Sequence, residues 1–184
     1  APRAGGCAVE FNGGRTVGVP TEAGEVTARG VVGDRVVLFS RTSIQAIEAI
    51  DGPGSTGAGG WPPLRRISRE VGCVCPASVV TTDVGLFFQS ESGMYLLSET
   101  GQLTHVGRDI EPTIDAGFVP ISATVIPDDH LVIWDTADRV GLVFDYEHGQ
   151  WSQYSYAETT SLQGAGEFEG RHFIVDETGA PPLQ

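Results

Sequence analysis

The sequence predicts an all-β chain of β-propeller-like architecture: repeated four-stranded antiparallel meanders, three full units and part of a fourth. Three observations carry that prediction. Short apolar or alternating runs are cut by Gly, Asp and Pro at intervals of roughly 8 to 12 residues, the punctuation of strands rather than helices. Two such runs joined by a polar turn recur four times. The recurring runs begin at Val36, Leu86, Leu131 and His172, which stand 50, 45 and 41 residues apart. A four-stranded unit repeating at roughly 40 to 50 residues is the signature of propeller blades, whose sheets bury both faces only by stacking on neighbours.

The elements follow in order. In the first unit, residues 26–32 are a strand, Gly33-Asp34 a turn, VVLFS (36–40) and IQAI (44–47) a hairpin, and residues 64–67 a fourth strand. Residues 43–50 form the one passable helical window, but it is short and lies among β-branched residues, so it reads as strand. The second unit repeats the order with 78–81, Thr82-Asp83, LFFQS (86–90), MYLL (94–97) and 103–106. The third has 122–126, Asp128-Asp129, LVIWD (131–135), VGLVF (140–144) and 151–154. The fourth begins with 161–165, turns at Glu169-Gly170 and stops after HFIVD (172–176). Residues 1–184 are expected as a single propeller-like domain or fragment, with units at about 26–70, 77–108, 121–156 and 160–184. A closed ring needs at least about four blades. Either residues 1–20 supply ring-closing strands or the chain is a piece of something larger, and the second expectation is favoured. Helix content should be close to nil, with Phe88 and Trp151 anchoring the packing between neighbouring sheets.

Composition narrows the function. The chain carries 24 acids against 11 bases, every base an Arg, for a net charge of −13. That balance opposes sequence-independent binding to nucleic acid or anionic lipid, both of which need a basic surface. Hydrophobic residues make up 40% of the chain, enough for a core despite 25 Gly and 11 Pro. No apolar run approaches the length of a transmembrane helix, and no membrane partner is expected. The polar, Gly-rich start after Ala1 has no basic end and apolar core, so no signal peptide is expected. Cys7, Cys73 and Cys75 are too few for a disulfide framework and badly spaced for a tetrahedral metal site. They read as buried or half-buried thiols of a protein assembled in a reducing compartment.

One insertion interrupts the repeat. Residues 51–63, DGPGSTGAGGWPP, join the third and fourth strands of the first unit and contain five glycines. TGAGG lacks the Gly-Lys-Ser/Thr ending of a phosphate loop, and no helix follows. A lone Trp in such a loop is costly to expose and is a preferred interface anchor. Asp51, Gly52, Pro53, Trp61, Pro62 and Pro63 are therefore the candidate contact residues, the alternative being that Trp61 folds back onto its own blade.

Residues 51–111 resemble the propeller segment of bacteriophage tail nozzle proteins, also called tail tubular or stabilisation proteins, of short-tailed phages. The resemblance lies in the DGP-x-x-TG-x-GG insertion, the arginine-isoleucine strand, the Val71-Gly72-Cys73 step and the Pro76-x-Ser78-Val79-Val80 strand. The Gly85-x-Phe87-Phe88-Gln89-Ser90 hairpin and the Gly93-x-Tyr95-Leu96-Leu97 return follow in the same order. Leu142 to Tyr146 with Gln150-Trp151-Ser152 resembles the family's blade ending, and the likeness spans roughly residues 11–156. Family members are several hundred residues long with a further tube-forming part, whereas this chain has only the propeller-like stretch. The resemblance implies a structural virion protein of the head-to-tail conduit, without enzymatic activity or cofactor, assembled in the host cytoplasm. It also implies a homo-oligomeric ring, a hexamer in the family. Portal or adaptor and tail fibre or needle proteins would be its partners, and DNA would pass without specific binding.

The chemical alternatives are weaker. His105, His130, His148 and His172 sit in different units, and no pair has metal-ligand spacing. Asp128-Asp129 and Asp109/Glu111 invite a glycosidase reading, but that chemistry needs two carboxyl groups about 5 to 10 Å apart across a sugar pocket. Adjacent acids read better as a turn. No GxSxG nucleophile elbow occurs. The aromatic set Phe87, Phe88, Tyr95, Trp134, Phe144, Tyr146, Trp151 and Tyr154 reads as packing between blades. A sugar-stacking face, and with it a carbohydrate-binding or glycoside-hydrolase propeller, is the alternative.

Overall fold

A computed structural model describes residues 24–48, 63–155 and 162–176. Three four-stranded antiparallel meanders and one two-stranded sheet follow one another along the chain. The first contains β1 (Val26–Val32), β2 (Arg35–Ser40), β3 (Ile44–Glu48) and β4 (Arg65–Ser68). The second contains β5 (Val80–Thr81), β6 (Leu86–Ser90), β7 (Gly93–Leu97) and β8 (Leu103–His105). The third contains β9 (Pro120–Ile126), β10 (Leu131–Thr136), β11 (Val140–Asp145) and β12 (Gln150–Ser155). The fourth pairs β13 (Leu162–Phe168) with β14 (Arg171–Asp176). The fold is all-β and propeller-like. Among the described residues no helix is long and apolar enough to cross a membrane.

The second sheet shows why its central strand is apolar on successive residues. Period-two alternation sends Leu86 and Phe88 to one face and Phe87 to the other. Leu86 and Phe88 join Val37, Phe39 and Ile44 of the first sheet in one core. Phe87 joins Val132, Trp134, Leu142 and Phe144 of the third sheet in another. All three residues are fully buried. A strand that covers two neighbours cannot alternate apolar with polar.

Two details differ from the sequence expectation. Ser78 belongs to a 3-10 turn, Pro76–Ser78, rather than to the strand that follows. Proline at the first position presets φ for such a turn and has no N–H to leave unsatisfied. Helix is also not quite nil, because Glu111–Asp115 forms α1 in the connection to the third sheet, with Pro112 in its first turn. Ile110, Ile114 and Phe118 around α1 cap the second apolar core.

The connection between the first and second sheets is unusually tight at Gly72. A Cβ there would overlap the Ser40 carbonyl oxygen and lie 2.6 Å from the Arg41 carbonyl carbon. Backbone cannot swing aside as a side chain can. Gly72→Ala is therefore expected to lower stability by about 1–3 kcal/mol, read as a shifted urea midpoint.

Candidate functional site

The densest polar chemistry of the described chain lies on the strap formed by residues 72–78, which touches three sheets. The Cys73 N–H donates to the Ser40 carbonyl of the first sheet at 3.0 Å, and Val74 N–H to the Gln89 carbonyl of the second at 3.0 Å. The Cys75 thiol points to the Pro120 carbonyl of the third at 3.2 Å. Thr27 on β1 donates its hydroxyl to the Cys73 carbonyl at 2.6 Å.

Ser78 is the hub of this strap. Its hydroxyl donates to the Cys75 carbonyl at 2.6 Å and accepts the Gln89 N–H at 2.8 Å. Its carbonyl accepts the Trp134 indole N–H at 2.9 Å. Gln89 in turn donates its side-chain amide to the Phe118 carbonyl at 2.9 Å. Several of these bonds cross from one sheet to the next, which fixes the relative setting of the sheets.

Cys73 is buried at this hub, and desolvation pushes its thiol up to about 11 against the opposing pull of hydrogen bonds from Ser78 and Cys75. A thiol so protonated is a poor nucleophile. Cys73 is expected to stay unlabelled by an aromatic disulfide reagent at pH 8 in the native protein and to react on unfolding, read by peptide mass spectrometry.

The third and fourth sheets meet through a different chemistry. Ser122, Asp135, Gly141 and Tyr154 lie in one cross-strand row of the third sheet. Asp135 has no solvent exposure. Its carboxylate accepts the Tyr154 hydroxyl at 2.6 Å and pairs with His172 Nε2 of β14 at 3.1 Å. Tyr154 reaches across Gly141 to do so, and a Cβ on Gly141 would lie 2.5 Å from its hydroxyl oxygen and overlap the ring. A buried carboxylate survives only when paired and hydrogen-bonded, and this one is. This junction thus holds a buried polar cluster beside the buried Leu162 of β13, whereas the two before it are apolar cores.

This cluster was not legible in the sequence. Asp135 occupies the register position held by Phe39 in the first unit and Gln89 in the second. An acid in a core position was the available signal. The other histidines are separate: His105 stacks on Tyr95 with ring centroids 4.8 Å apart, and His130 meets Tyr146 edge-on at 5.4 Å. His148 lies 2.9 Å from Asp145, whose carboxyl is held below its usual range first by the His148 backbone N–H. That contribution is present at neutral pH and is lost as pH falls through the lowered value. Among the described residues no group of three or more His, Cys, Asp or Glu is placed to hold a metal ion.

Of the candidate contact residues, Asp51, Gly52, Pro53, Trp61 and Pro62 lie outside the described residues. Pro63 is exposed just before β4. Of the aromatic set, Phe87, Phe88 and Trp134 have no exposure and Phe144 has 5%, while Tyr95, Tyr146, Trp151 and Tyr154 are half-buried. Trp151 is half-buried and donates to the Val106 carbonyl at 2.8 Å, so it spans the second and third sheets as Phe88 spans the first and second.

Asp128-Asp129 form part of a 3-10 turn, Pro127–Asp129, between β9 and β10. The turns after the first strands carry Asp34, Asp83, Asp128 with Asp129, and Glu169, one or two acids per sheet. They share one end of the sheets. Arg35 donates to the Glu99 carbonyl of the second sheet at 2.8 Å, Asp83 lies against Tyr146 of the third, and Asp128 lies beside Gly170 of the fourth. One rim of the arc is therefore acidic.

No family model and no curated protein matches the chain. Solved structures do match, at low identity. The computationally designed Ika4 protein aligns with a TM-score of 0.55 and 11% identity over 93% of this chain and 96% of its own. The designed Ika8 protein aligns at 0.53 and 12% identity over 85% of this chain, but this chain spans only 44% of it. A chain of a nidogen/laminin complex aligns at 0.53 and 12% identity, over 79% of this chain and 52% of its own. At such identities the likeness is one of fold, and the fold shared is the all-β, propeller-like stack of antiparallel sheets.

Proposed function

We propose that the chain is a structural β-propeller module of a short-tailed phage's tail nozzle, acting by shape and charge without a chemical step. One observation carries this reading. The residues through which the sequence resembles that family, Gly72, Cys73, Ser78, Phe87, Phe88, Gln89 and Trp151, are those that hold successive sheets to one another. They form a scaffold rather than line a substrate cleft. The acidic rim supports the same reading, because a conduit wall that repels phosphate lets a genome pass, whereas attraction at many phosphates would retain it. Of the aromatic residues that a sugar-stacking face would need, Phe87, Phe88, Trp134 and Phe144 are instead in the core.

The test is association with particles and with DNA. The protein should co-purify with intact virions in a fixed ratio to portal, and the isolated chain should show no salt-sensitive binding to duplex DNA between about 50 and 200 mM salt. Tight binding that weakens steeply with salt would exclude the conduit-wall role. Turnover of a glycan or nucleic acid by the purified chain would exclude the non-enzymatic one.

A further inference from the structure

On the face of the first sheet turned away from the second, exposure falls strand by strand. Register sets Val31 of β1, Val36 of β2 and Ile47 of β3 in one row of that face, and Arg29, Leu38 and Gln45 in another. Val31 is 52% exposed, Val36 is half-buried and Ile47 is 6% exposed. Arg29 is exposed, Leu38 half-buried and Gln45 3% exposed. Among the described residues Ile47 belongs to neither apolar core, although it is buried as deeply as residues that do. Gln45 is buried with no hydrogen-bond partner for either amide atom. Such a group normally has one. The β3 half of this face is therefore covered and the β1 half is open.

We propose that the cover is the chain's own residues 7–19, folded as a β-hairpin that supplies the third and fourth strands of a sheet preceding the first. Residues 1–23 lie outside the described residues, and their sequence selects them. CAVEF (7–11) and RTVGV (15–19) flank Asn12-Gly13-Gly14. Asn-Gly between alternating runs is a strong hairpin signal, and a three-residue loop containing Gly pairs 11 with 15. In that register Cys7, Val9, Phe11, Val17 and Val19 share one face with Arg15, while Ala8, Glu10, Thr16 and Gly18 share the other. A lone hairpin with one apolar face needs a surface to lie on. Six residues, 20–25, then lead to β1, the same length as the connection 156–161 from β12 to the next sheet. Inside the chain, first strands meet first strands, β5 against β1 and β9, and β13 against β9. Fourth strands likewise meet, where Trp151 of β12 holds the Val106 carbonyl just past β8. A hairpin of third and fourth strands would thus cover the β3 half and leave Val31 in the open. The insertion starts nearer, but DGPGSTGAGG (51–60) offers no branched or aromatic apolar side chain to lay on Ile47.

The inference does not rest on the tail reading. Its test places a benzophenone amino acid at position 11 of the full chain, in place of Phe11, and maps the photocrosslinks by peptide mass spectrometry. They should join residue 11 to β3 or β4 of the same chain. Crosslinks confined to residues 49–62, to the second, third or fourth sheet, or to a second copy would overturn the proposal. Thiol exposure gives an independent reading. The Ile47→Cys thiol should react with N-ethylmaleimide about tenfold faster or more once Val9→Asp is added. The Val31→Cys thiol should react at one rate in both backgrounds, and Ala8→Asp, on the other face of the hairpin, should leave the Ile47→Cys thiol protected. An Ile47→Cys thiol whose rate ignores Val9→Asp, or responds equally to Ala8→Asp, would also overturn it.

Discussion

Trp134→Ala should lower the stability of this protein by about 3–5 kcal/mol, as expected for deleting a large aromatic from a core. Trp134 has no solvent exposure and sits where the second and third sheets meet. Its ring lies 6.2 Å from Phe87 and 5.6 Å from Trp151, and its N–H holds the Ser78 carbonyl at 2.9 Å. Truncation removes the packing from both sides and leaves that carbonyl without its donor. Trp134→Phe separates the two effects. It keeps most of the ring and should cost about 1–3 kcal/mol, the range for an unmet buried hydrogen bond. Urea titration of the three proteins measures both. Equal midpoints for wild type and Trp134→Ala would mean that the second and third sheets are not locked through this residue.

His172→Ala is expected to be the most damaging change at the third junction, by about 3–5 kcal/mol, because it takes one partner from a carboxyl group that has no solvent exposure. Asp135→Asn should be milder. It keeps a side chain of the same shape that can still meet Tyr154, and the His172 side chain, 13% exposed, can be wetted from outside. The order His172→Ala worse than Asp135→Asn is the signature of a buried carboxylate, and a double-mutant cycle gives the coupling between them. The reverse order would show that the third junction does not depend on the His172–Asp135 contact.

The fold was legible because its signal is local. LFFQS at 86–90 is a strand on any reading, and its uninterrupted apolar character already required neighbours on both faces. The strand at Val26–Val32 was likewise fixed by its flanking turn and alternation. Short-range exceptions were harder. Pro76-Ala77-Ser78 sits beside β-branched residues, and the demand that places Ser78 in a 3-10 turn comes from Trp134, 56 residues away. Glu111–Asp115 is too short for helical periodicity to register, and its packing against Phe118 and the third sheet is tertiary. The Asp135 cluster joins residues 19 and 37 apart through register and the stacking of two sheets, neither of which a single sequence displays.

The stacking has a consequence for how the molecule opens. The principal contacts of each sheet are with the sheets next to it in sequence. Such a chain approaches a one-dimensional array, whose cooperativity depends on position. An interior sheet leaves the native state only by breaking two junctions, an end sheet by breaking one. Amide protons of β6 and β7 should then exchange near the global unfolding rate, while those of β13 and β14 escape through partial opening of the junction at which β13 packs along β9 and His172 meets Asp135. The fourth sheet is the hinge at which this arc first comes undone.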